Sequence, residues 1–182
     1  KSGYAVKSIS TLKLPPMNGL ILVLENGRVN ANLSEFHKIS GIKLSFLSSS
    51  KENDNPIINS KKENYFSLLN LSYLSEGISI EVGSGFRVQE NINIINIVSS
   101  NDSLVNTKLD LILSENSSIH IRQYFLAFGK TTNGFINHNN NFIVQNNAAL
   151  VLDKFQDLKN NFHISNDFIE QEESSKFISN NF

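Results

Sequence analysis

The chain has 182 residues, a length that fits one domain, with 40% hydrophobic and 18% charged residues and a net charge of -1. That balance describes a globular chain rather than one disordered by charge, and it argues against nucleic acid or an anionic membrane as the main partner. With no cysteine in the sequence, disulfides, thiolate nucleophiles and thiolate metal sites are excluded within these residues, which fits a reducing, cytoplasmic setting.

No run approaches the 18 or more apolar residues of a membrane span, and no apolar stretch at the start resembles a signal peptide. Because the chain opens on Lys1, a preceding N-terminal piece is expected. In chain order, residues 1–14 are polar with scattered apolar positions, and Pro15-Pro16 ends whatever they form. Gly19-Leu-Ile-Leu-Val-Leu24 suits a buried strand. Glu25-Asn-Gly-Arg28 contains the Asn-Gly pair of a tight hairpin, with residues 29–33 as the return. Residues 39–46 alternate like a further strand, and residues 48–60, with Asn55-Pro56, read as a loop.

Residues 61–76 predict a helix, because Tyr65, Phe66, Leu68, Leu69, Tyr73 and Leu74 recur at helical spacing and Gly77 stands where a C-terminal cap belongs. Ile78-Ser-Ile-Glu-Val82 then alternates as a first rung, with Gly77 in the part that Ser118 and Ala149 play later. Residues 92–98 form another rung, and a polar loop runs on to Thr107.

From Leu109 onward the chain repeats itself. Leu109-Asp-Leu-Ile-Leu113, Ser-Glu-Asn-Ser-Ser118 and Ile119-His-Ile-Arg122 reappear 31 residues later as Phe142-Ile-Val144, Gln-Asn-Asn-Ala-Ala149 and Leu150-Val-Leu-Asp153. A further shift of 26 gives Phe168-Ile-Glu170, Gln-Glu-Glu-Ser-Ser175 and Lys176-Phe-Ile-Ser179. Strand, polar turn, strand at a fixed period is the mark of a solenoid, whose units bury a core only by stacking. The reading is therefore a mainly β chain: a right-handed parallel β-helix core over 61–182, one short helix before its first rungs, and an N-terminal lead-in segment over 1–60. An antiparallel sandwich is the competing architecture. The register stacks Leu111, Phe142 and Phe168 in one column and Ile121, Leu152 and Ile178 in another. It also sets Arg122 opposite Asp153 on the outer face and makes Lys176 a misfit.

Few residues invite chemistry. His37, His120, His138 and His163 are separated by 83, 18 and 25 residues, without the close pairing of metal motifs, and strand parity turns His120 outward. Asp110, Asp153, Asp157 and Asp167 fall in different parts of the repeat and do not make the paired carboxylates of glycoside hydrolysis. Glu172 and Glu173 fill a turn that Asn146 and Asn147 also fill. Gly83-Ser-Gly-Phe-Arg87 lacks the third glycine and the following helix of a phosphate loop. Gln123 and Lys154 share one register position that parity turns inward, and a strand bend is expected there rather than a buried polar pair. No catalytic, cofactor-binding or metal-binding residue is assigned.

Tyr65-Phe-Ser-Leu-Leu-Asn70 leading into Glu76-Gly-Ile-Ser-Ile-Glu-Val82 and Asn91-Ile-Asn-Ile, followed by Asn116-Ser-Ser-Ile-His-Ile, Asn147-Ala-Ala-Leu-Val-Leu and Gln171-Glu-Glu-Ser-Ser-Lys-Phe, resembles the SufB/SufD family of iron–sulfur cluster assembly proteins. Leu24-Glu-Asn-Gly-Arg-Val29 and the following Leu33-Ser34 resemble the SufD branch, and the missing cysteine also favours it. The likeness runs from about Leu20 to Phe182. It implies a right-handed parallel β-helix and a non-catalytic scaffold that works with SufB-like and SufC-like subunits, supporting cluster assembly and iron delivery in the cytosol or plastid. The iron–sulfur cluster is built by the whole complex, so no cofactor is expected on this chain. The family's interface residues and its SufC-binding helices have no counterpart here, and more rungs are expected beyond Phe182. Two other readings are a β-helix lyase or hydrolase of carbohydrate and a secreted β-solenoid binding protein. The first needs a groove of clustered acids; the second needs a signal peptide and longer repeats.

Overall fold

A computed structural model describes residues 6–12, 14, 17–48 and 64–182. The Pro15-Pro16 break, the loop at 49–60 and the predicted helix start at 61–63 lie outside them. Over the described residues the chain is mainly β, a β-solenoid of about 3 turns with one short α-helix. Its strands are β1 (Leu20–Glu25), β2 (Arg28–Val29), β3 (Ile42–Ser48), β4 (Glu76–Val82), β5 (Ile92–Val98), β6 (Leu104–Leu113), β7 (Ser118–Ala127), β8 (Thr132–Val144), β9 (Ala149–Asp157), β10 (Asn160–Gln171) and β11 (Lys176–Asn181). The helix is α1 (Tyr65–Ser72).

Two sheets build the coil. Sheet one has the order β11-β9-β7-β5-β1-β2 and sheet two the order β10-β8-β6-β4-β3. All neighbours are parallel except the β1–β2 hairpin and β3, which runs antiparallel to β4. Alternation sends every second side chain between the sheets. There Leu22, Ile80, Ile92, Leu111, Ile121, Phe142 and Leu152 form an apolar core with almost no exposure. The predicted lead-in region thus supplies strands to both sheets, β1 pairing Leu20 with Ile92 across a long sequence gap. Asn26 and Gly27, both at positive φ, make the expected hairpin, although its return is only two residues long. The residues read as a polar loop up to Thr107 already belong to β6 from Leu104 onward.

The 31-residue register holds where the sequence indicates it. Leu111 pairs with Phe142, Ile121 with Leu152, and Arg122 with Asp153. The last turn corrects the sequence reading. Phe142 pairs with Ile169, not Phe168, and Leu152 with Ser179, not Ile178. A one-residue slip reverses every side chain, so Phe177 packs against the core while Ile178 is exposed. Lys176 lies beside Ala149 on the outside, and its misfit disappears. The true offset is 27, and it arises at one corner. The Phe128–Thr131 connection shrinks to Leu158 and Lys159, and a register shift follows between Asn160 and Phe162.

The opposite corner explains why turn chemistry repeats. Gly85, Asn116, Asn147 and Ser174 occupy equivalent positions, and each has positive φ. Each turn's amide reaches into the next: Gly85 N–H donates to Glu115 O, Asn116 N–H to Asn146 O, and Asn147 N–H to Glu173 O. Gly83-Ser-Gly-Phe-Arg87 is therefore the first such corner. Arg87, bridged to Ser118, holds the place expected of Gly77.

Gly77 is not a helix cap. Tyr73 ends α1, while Gly77 lies within β4, where a Cβ would meet Lys108 O at 3.0 Å. Asn64 caps the start by accepting the Ser67 N–H. The helix spacing is present, but the face that α1 buries is polar. Ser67 and Asn70 point to sheet two, and Asn70 Nδ2 donates to Thr107 O at 2.9 Å and Asn137 O at 2.6 Å. Tyr65 and Leu68 face outward. The outer face of the other sheet is covered by an apolar cluster of Val6, Leu12, Ile21, Val23, Leu33, Ile95, Ile97 and Tyr124.

Candidate functional site: a polar layer inside the solenoid

Along the inward-facing rows of β7 and β9, aliphatic residues give way to polar ones at the same level. On β7 the row reads Ile119, Ile121, Gln123; on β9, Leu150, Leu152, Lys154. From the facing sheet come Thr107 of β6, His138 and Asn140 of β8, and Ser165 and Asp167 of β10. Beyond them the interior turns apolar again with Val98, Val105, Phe125, Ile136 and Leu158. A polar stratum is thus clamped between two apolar ones.

Its members bond to one another in a chain. Thr107 Oγ1 lies 2.7 Å from His138 Nδ1, and His138 Nε2 lies 2.9 Å from Asn140 Oδ1 and 3.0 Å from Gln123 Nε2. Gln123 and Asn140 exchange amide bonds of 2.7 and 3.1 Å. Asn140 Nδ2 donates to Asp167 Oδ1 at 2.7 Å, and Lys154 Nζ donates to both Asp167 oxygens at 2.6 Å and to Ser165 Oγ at 3.0 Å. Burial pushes His138 down to about 3, opposed by its bond to Asn140 and aided by the charge of Lys154. The ring is therefore neutral near pH 7. Either neutral tautomer satisfies the network. Nε2–H donates to Asn140 while Nδ1 accepts from Thr107, or Nδ1–H donates to Thr107 while Nε2 accepts from Gln123.

Gln123 and Lys154 do share the register position, but the strands do not bend there. Both side chains are buried. The expected bend is replaced by this network because groups of the opposite sheet satisfy the two side chains, which removes the penalty of burying them. The chain of contacts runs from Thr107, in the interior, to Asp167, which reaches solvent at the last turn. His163 lies alongside, its ring 4.2 Å from that of Phe125 and its Nδ1 3.1 Å from Gln156 Oε1. Burial, with the Lys154 charge, lowers it to about 4.

The remaining candidates are scattered. His120, on the outer face as parity predicts, meets Asp153 at 2.7 Å. Arg122 Nε is 3.8 Å from the same carboxylate, and Asn180 Nδ2 donates to it at 2.8 Å. Burial raises the Asp153 pKa, but the Asn180, His120 and Arg122 contacts outweigh it and the net shift is downward. Asp110, on the outer side of sheet two, takes Lys108 Nζ at 2.9 Å and Asn141 Nδ2 at 2.8 Å. Asp157 closes β9 in an exposed position, and His37 pairs with Glu90 at the surface. Glu172 accepts the Asn146 N–H in its corner. Asp110, Asp153 and Asp167 thus lie on two outer faces and in the interior. Among the described residues, no group of three or more histidines and acids converges to hold a metal, and no helix is long and apolar enough to cross a membrane.

Sequence reasoning noticed Gln123 and Lys154 but missed His138, Asn140, Ser165 and Asp167 as their partners. The signal was present in the alternation of Asn137-His-Asn-Asn-Asn141, whose even-numbered positions face in. No family model matches the chain, and no curated protein matches it.

Proposed function

We propose that this chain is a non-catalytic, SufD-like scaffold subunit of an iron–sulfur cluster assembly complex, working in the cytoplasm with SufB-like and SufC-like partners. The observation that carries the reading is the order of elements: α1 leads into β4, and the turns that follow recur at 31 residues and then at 27 in a cysteine-free solenoid. That order is what the resemblance to the SufB/SufD family implies. The polar layer supports a scaffold as well, since its donors and acceptors are spent on one another inside the coil. Iron and sulfide are cargo in this reading, not resident cofactors.

Co-expression with SufB-like and SufC-like subunits is the test. A stable ternary complex on size exclusion is expected, together with no stoichiometric iron on the chain purified alone after anaerobic reconstitution. Failure to bind either subunit, or cleavage of polysaccharide by the pure chain, would displace the scaffold reading in favour of a β-helix enzyme.

A further inference from the structure

Three Asn-Gly pairs occur in the described chain, at Asn18-Gly19, Asn26-Gly27 and Asn133-Gly134. In such pairs the glycine amide nitrogen can attack the asparagine side-chain carbonyl carbon, because no Cβ shields it. The fold penalises a side chain at each of the three glycines. Gly19 has φ +92 and a Cβ there would collide with Asn91 O; Gly27 has φ +80; a Cβ on Gly134 would lie 2.7 Å from Asn161 Oδ1 and 2.9 Å from Val98 Cγ1. The liability is therefore a consequence of the backbone path.

The surroundings of the three pairs differ. Ser99 grips the Asn26 side chain at both ends, its N–H donating to Oδ1 at 2.9 Å and its Oγ accepting from Nδ2 at 2.8 Å. At the third pair the nucleophile itself is engaged, since Gly134 N–H donates to Asn161 Oδ1 at 2.7 Å. Asn161 is in turn anchored through Nδ2 to Leu158 O at 2.8 Å. Asn18 is exposed and its side chain takes one bond, from Asn91 Nδ2 at 2.7 Å, at the surface. Among the described residues, no hydrogen bond engages the Gly19 N–H.

We infer that Asn18-Gly19 is a site of spontaneous modification in the folded protein, converting through a succinimide to aspartate and isoaspartate, while the fold protects Asn26 and Asn133. The Gly19 nitrogen forms a bond to Asn18 Cγ, the Cγ–Nδ2 bond breaks, and Nδ2 leaves as ammonia with the amide proton. Water then opens the ring at either carbonyl. The isoaspartate product places one additional carbon in the backbone directly ahead of β1. There Leu20 N–H bonds Asn91 O at 3.0 Å and the Asn18 carbonyl accepts from Asn93 Nδ2 at 2.9 Å. Modification therefore loosens the seam between β1 and β5, where the N-terminal cover of the outer face begins.

The test is peptide mapping by mass spectrometry through a time course at mildly alkaline pH, on the native chain and on the chain in urea. Each holding hydrogen bond adds to the barrier, so native Asn18 is expected to convert roughly tenfold or more faster than Asn26 and Asn133. In urea the three rates converge. Asn161→Ala should release Asn133 without changing the rate at Asn18. Native rates equal at all three sites, Asn26 or Asn133 leading, or Asn18 converting in urea but not in the native chain would each overturn the inference.

Discussion

Ile121 and His120 are neighbours in sequence and opposites in environment. Ile121 has no solvent exposure, whereas His120 lies on the outer face against Asp153. Ile121→Asp places an unpaired carboxylate among aliphatic side chains, a loss of about 4 kcal/mol or more that should abolish cooperative melting. His120→Ala removes one partly exposed contact from a carboxylate that Asn180 and Arg122 still hold, so its cost stays under about 1 kcal/mol. Thermal melts of the two variants decide the parity, and equal losses would contradict it. The buried histidines predict a pH dependence as well. His138 falls to about 3 and His163 to about 4 in the folded chain, both below the ordinary histidine range near 6.5. Their stabilising effect is complete above pH 6.5 and is lost as pH falls toward those values, since the unfolded chain takes up protons that the native one refuses. The melting temperature should therefore drop steadily from about pH 6.5 downward, and His138→Gln should flatten that slope.

At the scale of the element, the corner between the sheets recurs four times with its third residue in the left-handed region. Glycine fills it once, asparagine twice and serine once, at Ser174. Serine is the poorest fit, because its Cβ crowds the backbone there and it lacks asparagine's tolerance of this region. Ser174→Gly is expected to raise stability by about 0.5–1 kcal/mol, and Asn147→Ala to lower it by about 1–2 kcal/mol, read as shifts in denaturant midpoint at constant slope. If the two changes move the midpoint in the same direction, the corner is not governed by backbone conformation. The 27-residue turn belongs to this scale too: a connection two residues shorter at one corner, together with the register shift that follows it, reset the whole of β10 and β11.

For the molecule as a whole, the two ends of the coil differ. At one end β2 and β3 run antiparallel to the stack. At the other, β10 and β11 are edge strands, with Ser179 exposed although it lies on the inner row, and Phe182 stacked on Phe155 with its far face open. Unpaired edges of this kind recruit further strands, and Lys176 is the only basic residue in β11 to oppose it. For residues 1–182 in isolation, light scattering should show association that rises with concentration, and hydrogen exchange should be fastest over residues 177–182. A monomer at high concentration with those amides protected would contradict this.

The patterns legible in the residues are local ones: period-two alternation, the polar turns between strands, the Asn-Gly hairpin and a 31-residue offset while the connections keep their length. Each depends on residues a few positions apart. Tertiary structure alone decided the rest. Matching Gln171-Glu-Glu-Ser-Ser175 to Gln145-Asn-Asn-Ala-Ala149 by chemistry gave an offset of 26. The backbone aligns Asn147 with Ser174, an offset of 27, because hydrogen-bond register and not side-chain likeness sets the stacking. Likewise β1 joins β5 across more than 60 residues, and no local pattern encodes that pairing. The polar layer shows the same limit. Gln123 and Lys154 look unfavourable in their own strands, and only the facing sheet, which brings Asn140 and Asp167 to them, makes their burial stable.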